Sequence, residues 1–294
     1  MKNFYKFLIY CFGYYYSRLI KGDKLPENIN FPINNVCNAK CVMCDVWKEN
    51  DYDELSIEDL NHLSESGFLK NLKHVGLSGG EPFLRKDIDK IVNSLINNPK
   101  IKSLSITSHG FNTERIKQKI PIIVDSCKKS NVKFRINFSL DGINELHDQI
   151  RGVKGGFTKL VNSINFCQKI GCEIELQCTV TKRNVYNLIE IQHWARENEC
   201  NIIYRLGTSI ERLDNLKTMK NEMLSKNMCS YFSDFLLSPL TLKLTKNPTK
   251  RLFYKSLANM IVNDVPRSAP CVYKMNGAYL SSNGDIYQCS ISKQ

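Results

Sequence analysis

The residues best equipped for chemistry lie in one short stretch, Cys37-Asn38-Ala39-Lys40-Cys41-Val42-Met43-Cys44. Three cysteines fall there at the spacing C-x3-C-x2-C. Closely spaced thiolates are soft ligands that suit iron–sulfur clusters or zinc. Zinc knuckles and ribbons answer a C-x2-C pair with a second pair or with histidines, and no second pair lies nearby. A cubane [4Fe–4S] cluster offers four irons, so three cysteines leave one iron open to a ligand that is not protein. Other polar groups follow in order: Ser78-Gly79-Gly80-Glu81-Pro82, Thr107-Ser108-His109-Gly110, Ser139-Leu140-Asp141-Gly142, His147-Asp148 and Arg151-Gly152. Thr179-Val180-Thr181 with Asn184, and Arg205 with Gly207, complete the series.

These groups need elements to hold them. A first strand is expected at residues 29–34, directly before the cysteine loop. Ser56, with Asp59 at the third helical position, gives a capping-box-like start to a helix ending near residue 66. A second strand reads at 72–77. Ile88, Ile91, Val92, Leu95 and Ile96 give helical spacing within residues 86–97. Further strands are expected at 101–107, 132–140, 173–180 and 202–206. Further helices are expected at 113–129, where Pro121 breaks or kinks the element, and at 157–170, 185–198 and 217–237. Residues 3–20 read as an aromatic-rich helix or lead-in packed on the body, in preference to a membrane contact.

Six β–α units in succession imply a parallel sheet with helices outside it. Right-handed crossovers curl such a sheet into a partial (β/α)6 TIM-like barrel, open on one side. Chemistry in these folds sits at the C-terminal ends of the strands, where the polar groups above fall. The expected division is a lead-in at 1–28, the barrel core at 29–238, and a linker with a small extension at 239–294.

Composition sets wider bounds. The chain has 294 residues, 42% of them hydrophobic, and twelve scattered cysteines with no apparent secretory signal. A reducing cytoplasm is the expected setting. Residues 7–16 are uncharged but too short to span a bilayer, which takes about 20 apolar residues. The net charge of +12 is dispersed and lacks an aromatic–basic RNA motif, so nucleic acid is not the expected partner. Cys127, Cys167, Cys172, Cys178 and Cys200 read as buried small hydrophobes. His62, His74 and His193 read as packing or surface residues.

Taken together, Cys37-x3-Cys41-x2-Cys44, Gly79-Gly80-Glu81-Pro82 and Ser139-Leu140-Asp141-Gly142 resemble the radical S-adenosylmethionine (SAM) superfamily over about residues 29–210. Met43 departs from the aromatic residue frequent before the last cysteine, and Ser108-His109-Gly110 stands where many relatives have Asn-Gly. The resemblance implies a [4Fe–4S] cluster on Cys37, Cys41 and Cys44, with SAM chelating the open iron. It implies reductive cleavage of SAM to methionine and a 5′-deoxyadenosyl radical, which takes a hydrogen atom from the substrate. A reductant such as flavodoxin or ferredoxin would supply the electron. By the same resemblance Gly79, Gly80 and Glu81 would bind the SAM amino group and Pro82 would fix the turn. Ser139 and Asp141 would face the SAM ribose or carboxylate. Arg151 would pair with that carboxylate or sit in a surface salt bridge. His147 and Asp148 match a family signature or serve structure.

In the tail, Asn283-Gly284 between residues 278–281 and 285–288 signals a hairpin. Cys271, Gly284 and Cys289 resemble the opening of a SPASM or twitch extension, whose cysteines hold an auxiliary [4Fe–4S] cluster. Two cysteines do not complete four ligands. A sequence continuing beyond residue 294 is the expectation, with an incomplete site or a contribution from Cys229 as alternatives. The expected substrate is a peptide or protein; dehydrogenation or rearrangement of a small sugar-like metabolite is the alternative. A non-catalytic iron–sulfur protein and a zinc-binding RNA-interaction protein fit the motifs less well.

Overall fold

The computed structural model describes residues 25–49, 54–245, 247–269 and 271–291. The six expected parallel strands form: β1 (Asn28–Pro32), β2 (His74–Ser78), β3 (Ser103–Ser108), β4 (Lys133–Ser139), β5 (Ile174–Val180) and β6 (Asn201–Leu206). Two more, β7 (Gly277–Leu280) and β8 (Ile286–Tyr287), extend the sheet to the order β6-β5-β4-β3-β2-β1-β7-β8. It is an open, partial barrel.

Alternation along the strands explains which way the sheet faces. Ile29 and Phe31, Val75 and Leu77, Leu104 and Ile106, Ile136 and Phe138, Leu176 and Cys178, and Ile202 and Tyr204 are all buried. The intervening residues are polar or glycine, except Ile203 on β6. Asn30, Gly76, Ser105 and Arg135 stand in one register row, and Thr107, Asn137 and Glu175 in the next. Closed TIM barrels fill their interior with branched aliphatic side chains. This sheet keeps its aliphatics for the helices and leaves a polar inner wall.

The helices between the strands are α1 (Ile57–Glu65), α2 (Ile88–Ile96), α3 (Thr113–Lys129), α4 (Glu145–Arg151), α5 (Gly156–Lys169) and α6 (Leu188–Glu197). The expected cap forms at α1. Asp59 N donates to Ser56 Oγ at 3.1 Å, and Ser56 N to Asp59 Oδ2 at 2.8 Å. Pro121 does not break α3, which runs as one 17-residue helix. Ile116, Ile120, Ile123 and Cys127 are all buried along it, and that packing outweighs the one backbone hydrogen bond a proline removes.

After β6 come α7 (Leu216–Lys220), α8 (Lys226–Leu237), α9 (Pro239–Leu244), α10 (Pro248–Asn263) and α11 (Val272–Met275). The single helix expected at 217–237 is therefore two. Glu222, between them, is buried and forks onto Arg183, with Nε–Oε1 and Nη2–Oε1 distances of 2.9 and 2.8 Å. Its carbonyl accepts from Lys182 N. These bonds draw the chain out of helix until Ser225 caps α8. The expected hairpin forms as β7 and β8, and β7 pairs parallel with β1, so the sheet continues past residue 238. The expectation for residues 3–20 lies outside the described residues. Among those described, no helix is long and apolar enough to cross a membrane.

The two faces predict unequal mutational costs. Leu104→Ala, at a buried site, is expected to cost about 2–5 kcal/mol. Ser105→Ala, on the inner wall, is expected to cost under about 1 kcal/mol. Urea unfolding of the two variants measures this, and equal losses would contradict a two-faced sheet.

Candidate active site at the strand ends

The β1–β2 ladder does not stop where the strands end. Ile33 N donates to Ser78 O, Gly80 N to Asn34 O at 2.9 Å, and Glu81 N to Val36 O at 2.8 Å. The glycine-rich turn is thereby fastened to the segment leading into the cysteine loop. Gly80 is packed so closely that a Cβ there would collide with Val36 O and touch Cys37 Cβ. Only glycine fits this approach. Pro82 begins a short 3-10 turn, Pro82–Leu84, and is buried.

Glu81 has no exposed surface. Its Oε1 accepts from Ser108 Oγ at 2.8 Å and Phe83 N at 3.1 Å, and its Oε2 from His109 N at 3.0 Å. Asn34 Nδ2 donates to its carbonyl at 2.9 Å. His109 Nδ1 accepts from Phe111 N at 3.0 Å. Its proton therefore sits on Nε2, which lies 2.8 Å from Asn38 Oδ1 and 3.2 Å from Glu81 Oε2. Burial holds the ring below the usual histidine pKa, against the pull of Glu81. A neutral His109 thus joins the glycine-rich turn to the middle of the cysteine loop.

The far side of that loop is held by α4. Lys40 N donates to Arg151 O at 3.0 Å and Val42 N to Ile150 O at 2.9 Å. Arg151 Nη2 lies 2.5 Å from Asp141 Oδ2, and Arg151 Nη1 lies 3.6 Å from Cys41 Sγ. Asp141 is fully buried, and its Oδ1 accepts from Thr179 N at 2.7 Å. Burial pushes the Asp141 carboxyl up while the Arg151 guanidinium opposes the shift. Arginine keeps its proton in proteins, so the pair is ionic. The salt bridge available to Arg151 is thus a buried one at the strand ends, not a surface one. His147 Nδ1 accepts from Asp141 N at 3.2 Å. Asp148 works structurally: its carboxylate accepts from Gly155 N at 2.5 Å and Phe157 N at 2.8 Å. Ser139, at the end of β4, is half-buried.

The three loop cysteines fit an iron–sulfur cluster. Burial pushes the Cys37 thiol up to about 12 and Cys44 to about 11, and raises Cys41; neighbouring thiols add to the rise at Cys37 and Cys44. Thiolates so placed call for cationic metal to hold them together. Among the described residues, no three His, Cys, Asp or Glu side chains converge on a single ion. A cubane takes one thiolate on each iron. The same holds at the tail. Cys271 precedes α11, Cys289 follows β8, and Cys229 lies on α8, with no third ligand grouped with any of them among the described residues.

Of the asparagines that tie the site together, sequence reasoning singled out Asn184 and assigned no role to Asn34, Asn38 and Asn215. Asn38 and Asn34 hold His109 and Glu81 as above. Asn184 Nδ2 donates to Asp141 O at 2.9 Å, and Asn215 Nδ2 to Met43 O at 3.2 Å. The signal of Asn34, Asn184 and Asn215 is burial, which a single sequence does not display, whereas Asn38 is exposed. The polar inner wall was legible in principle, from Ser103-x-Ser105-x-Thr107 and Glu175-x-Gln177-x-Thr179.

An open parallel barrel with one buried and two half-buried thiols beyond its first strand fits a class of iron–sulfur enzyme fold. The Radical SAM superfamily profile matches residues 31–194, and the chain belongs to that superfamily, whose cofactors are a [4Fe–4S] cluster and SAM. The probable GTP 3′,8-cyclase of Sulfolobus acidocaldarius is 27% identical over 181 residues, covering 60% of this chain and 55% of the relative. The Fe-coproporphyrin III synthase of Methanosarcina barkeri is 31% identical over 171 residues, covering 56% and 40%. Streptococcus suis SuiB bound to SAM shares the fold with a TM-score of 0.64 at 17% identity, over 90% of this chain and 60% of that one. The structure of anSMEcpe with bound AdoMet does so with a TM-score of 0.63 at 16% identity, over 91% and 76%. The chain spans about half the length of the curated relatives it matches.

His147 gives this site a pH signature. Burial, reinforced by Arg151, holds its pKa well below the usual value. An unfolded histidine gains its proton near pH 6.5, and the folded one does not. This contribution to stability is present above about pH 6.5 and falls by about 1.4 kcal/mol per pH unit below it. His147→Gln is expected to show a shallower acid loss between pH 6.5 and 5 in urea unfolding. Parallel slopes for variant and parent would rule this out.

Proposed function

We propose that the protein cleaves SAM reductively at a [4Fe–4S] cluster and removes a hydrogen atom from a peptide or protein substrate. The supporting observation is the cysteine loop itself, bonded through its backbone to the glycine-rich turn on one side and to α4 on the other. A cluster held by Cys37, Cys41 and Cys44 would supply the one electron needed to cleave the SAM carbon–sulfur bond, with methionine leaving and the adenosyl fragment accepting the substrate hydrogen.

The chain's own residues then have definite roles. Cys37, Cys41 and Cys44 hold the cluster. Gly79 and Gly80 offer bare backbone to the methionine end of SAM. Glu81, whose oxygens are used within the chain, sets the shape of that turn rather than presenting a free carboxylate. Arg151 places positive charge 3.6 Å from Cys41 Sγ and offsets the charge of three thiolates. Asp141 fixes Arg151, and Ser139 offers a hydroxyl to the SAM ribose. Cys271 and Cys289 supply two ligands toward an auxiliary cluster. A flavodoxin or ferredoxin is the reductant, and the cytoplasm is the setting.

Structural neighbours support the peptide reading, since SuiB has been solved with its precursor peptide SuiA and anSMEcpe with the peptide Cp18Cys. A second reading, a small metabolite, draws on the names of the sequence relatives, GTP 3′,8-cyclase and Fe-coproporphyrin III synthase.

The test is anaerobic reconstitution with iron and sulfide, then addition of SAM and dithionite. The parent is expected to release 5′-deoxyadenosine, and Cys37→Ala, Cys41→Ala and Cys44→Ala are each expected to fall to background. Undiminished product from these variants sinks the reading. Replacing Cys271 and Cys289 by Ser is expected to lower bound iron without abolishing SAM cleavage.

A further inference from the structure

Four cysteines outside the site above sit at turns from helix to strand, at the end of the sheet away from the cysteine loop. Cys127 and Cys167 lie in the last turns of α3 and α5, and Cys172 and Cys200 lead into β5 and β6. The turns share one geometry. After α5, Gly171 N donates to Gln168 O and Cys172 N to Cys167 O, both at 2.9 Å, with Gly171 at φ +74°. Two nested bonds around a left-handed residue make a Schellman cap, whose outer bond commonly brings two side chains into contact. After α3 the outer bond runs from Val132 N to Cys127 O at 2.8 Å, and after α6 from Cys200 N to Ala195 O at 2.8 Å. Those two caps each set a thiol against an aliphatic side chain. The α5 cap sets thiol against thiol.

The outer bond also limits how far apart the two residues can be. Bond lengths along that path, with the 2.9 Å contact, hold the Cα atoms of Cys167 and Cys172 within about 7 Å. A disulfide can span that separation. Cys167 has no exposed surface, whereas Cys172 is half-buried. The two thiols hydrogen-bond to each other, which lowers the Cys172 pKa against the effect of burial and raises that of Cys167. Cys172 lines a cavity of about 370 Å³ whose wall also carries Lys102, Lys128 and Lys133. Cations beside a thiol favour the thiolate, although Lys133 is shared with Glu173 at 2.9 Å. Cys172 is thus the accessible nucleophile and Cys167 the covered partner. Cys127 lines the same cavity and is the competing thiol.

We propose that Cys167 and Cys172 form a dithiol site that a peroxide oxidises to a disulfide, with Cys172 attacking and Cys167 resolving. The Cys172 thiolate attacks one peroxide oxygen, the O–O bond breaks, and the hydroxide that leaves takes up the proton Cys172 has shed. Cys172 is then a sulfenic acid. The Cys167 sulfur attacks the Cys172 sulfur, the S–O bond breaks, and the departing hydroxide carries off the Cys167 proton as water. Two thiols give up two electrons and two protons, and one peroxide becomes two waters. The product fastens the last turn of α5 to the segment entering β5. It needs none of the cluster chemistry proposed above.

The test exposes the freshly reduced full chain to an equimolar amount of hydrogen peroxide, blocks remaining thiols with N-ethylmaleimide and digests with trypsin without reductant. Cleavage after Lys169 separates the two cysteines, so mass spectrometry shows the disulfide as peptides 160–169 and 170–182 joined through Cys167 and Cys172. That linkage is expected to form several-fold faster than Cys229 is oxidised, a half-buried thiol on α8 whose pKa burial raises. In urea the preference over Cys229 is expected to vanish with the cap. Cys167→Ser is expected to arrest Cys172 as a sulfenic acid that dimedone captures, and Cys172→Ser to leave Cys167 unmodified. The map of the parent chain decides the matter even where a variant fails to fold. Absence of the linkage overturns the proposal. So does linkage of Cys172 to Cys127, oxidation of Cys172 no faster than of Cys229, or the same preference in urea.

Discussion

One buried ion pair underlies the arrangement at the strand ends. Asp141 and Arg151 lie 2.5 Å apart with the carboxylate fully removed from water and the guanidinium nearly so. Such a pair costs several kcal/mol per ion in desolvation, and its attraction offsets that only where geometry and further hydrogen bonds are good. Here Thr179 N supplies one of those bonds to the carboxylate. Arg151 also closes the last turn of α4, where a cation complements the helix dipole. Gly152 follows at φ +66°, and a Cβ there would collide with Lys40 O. The same few residues thus join the ends of β4 and β5 to the cysteine loop. The loop's position is set by α4 as much as by β1.

The glycine-rich turn is held by neutral partners instead. Glu81 spends its oxygens on Ser108, Phe83 and His109, and His109 passes the connection to Asn38. The thiols are flanked by an ion pair on one side and, on the other, by a buried carboxylate held by neutral donors. Positive charge near the loop is therefore concentrated at Cys41, beside Arg151.

Much of this was legible in the sequence. The strands alternate cleanly, so their number and order follow from periodicity, and the motif residues converge because each ends a strand. What periodicity did not carry was tertiary in origin. Pro121 stays helical because four buried side chains on α3 outweigh one lost hydrogen bond. The helix at 217–237 splits because Arg183, 39 residues away, claims Glu222. The inward turn of Glu81 depends on Ser108 and His109 arriving from another strand. Local patterns record what a segment prefers, and these outcomes depend on distant neighbours.

The pairing of β7 with β1 has a consequence for the order in which the molecule can be built. Asn28 meets Gly277, and Asn30 meets Tyr279, so the first strand waits for partners made about 250 residues later. At roughly 5–20 residues per second of synthesis, the outer edge of β1 stays bare for about 12–50 s while β2 already covers the other. An unpaired edge is a template for the wrong partner. The nascent chain is thus most exposed to misassociation at the strand that leads into its cysteine loop.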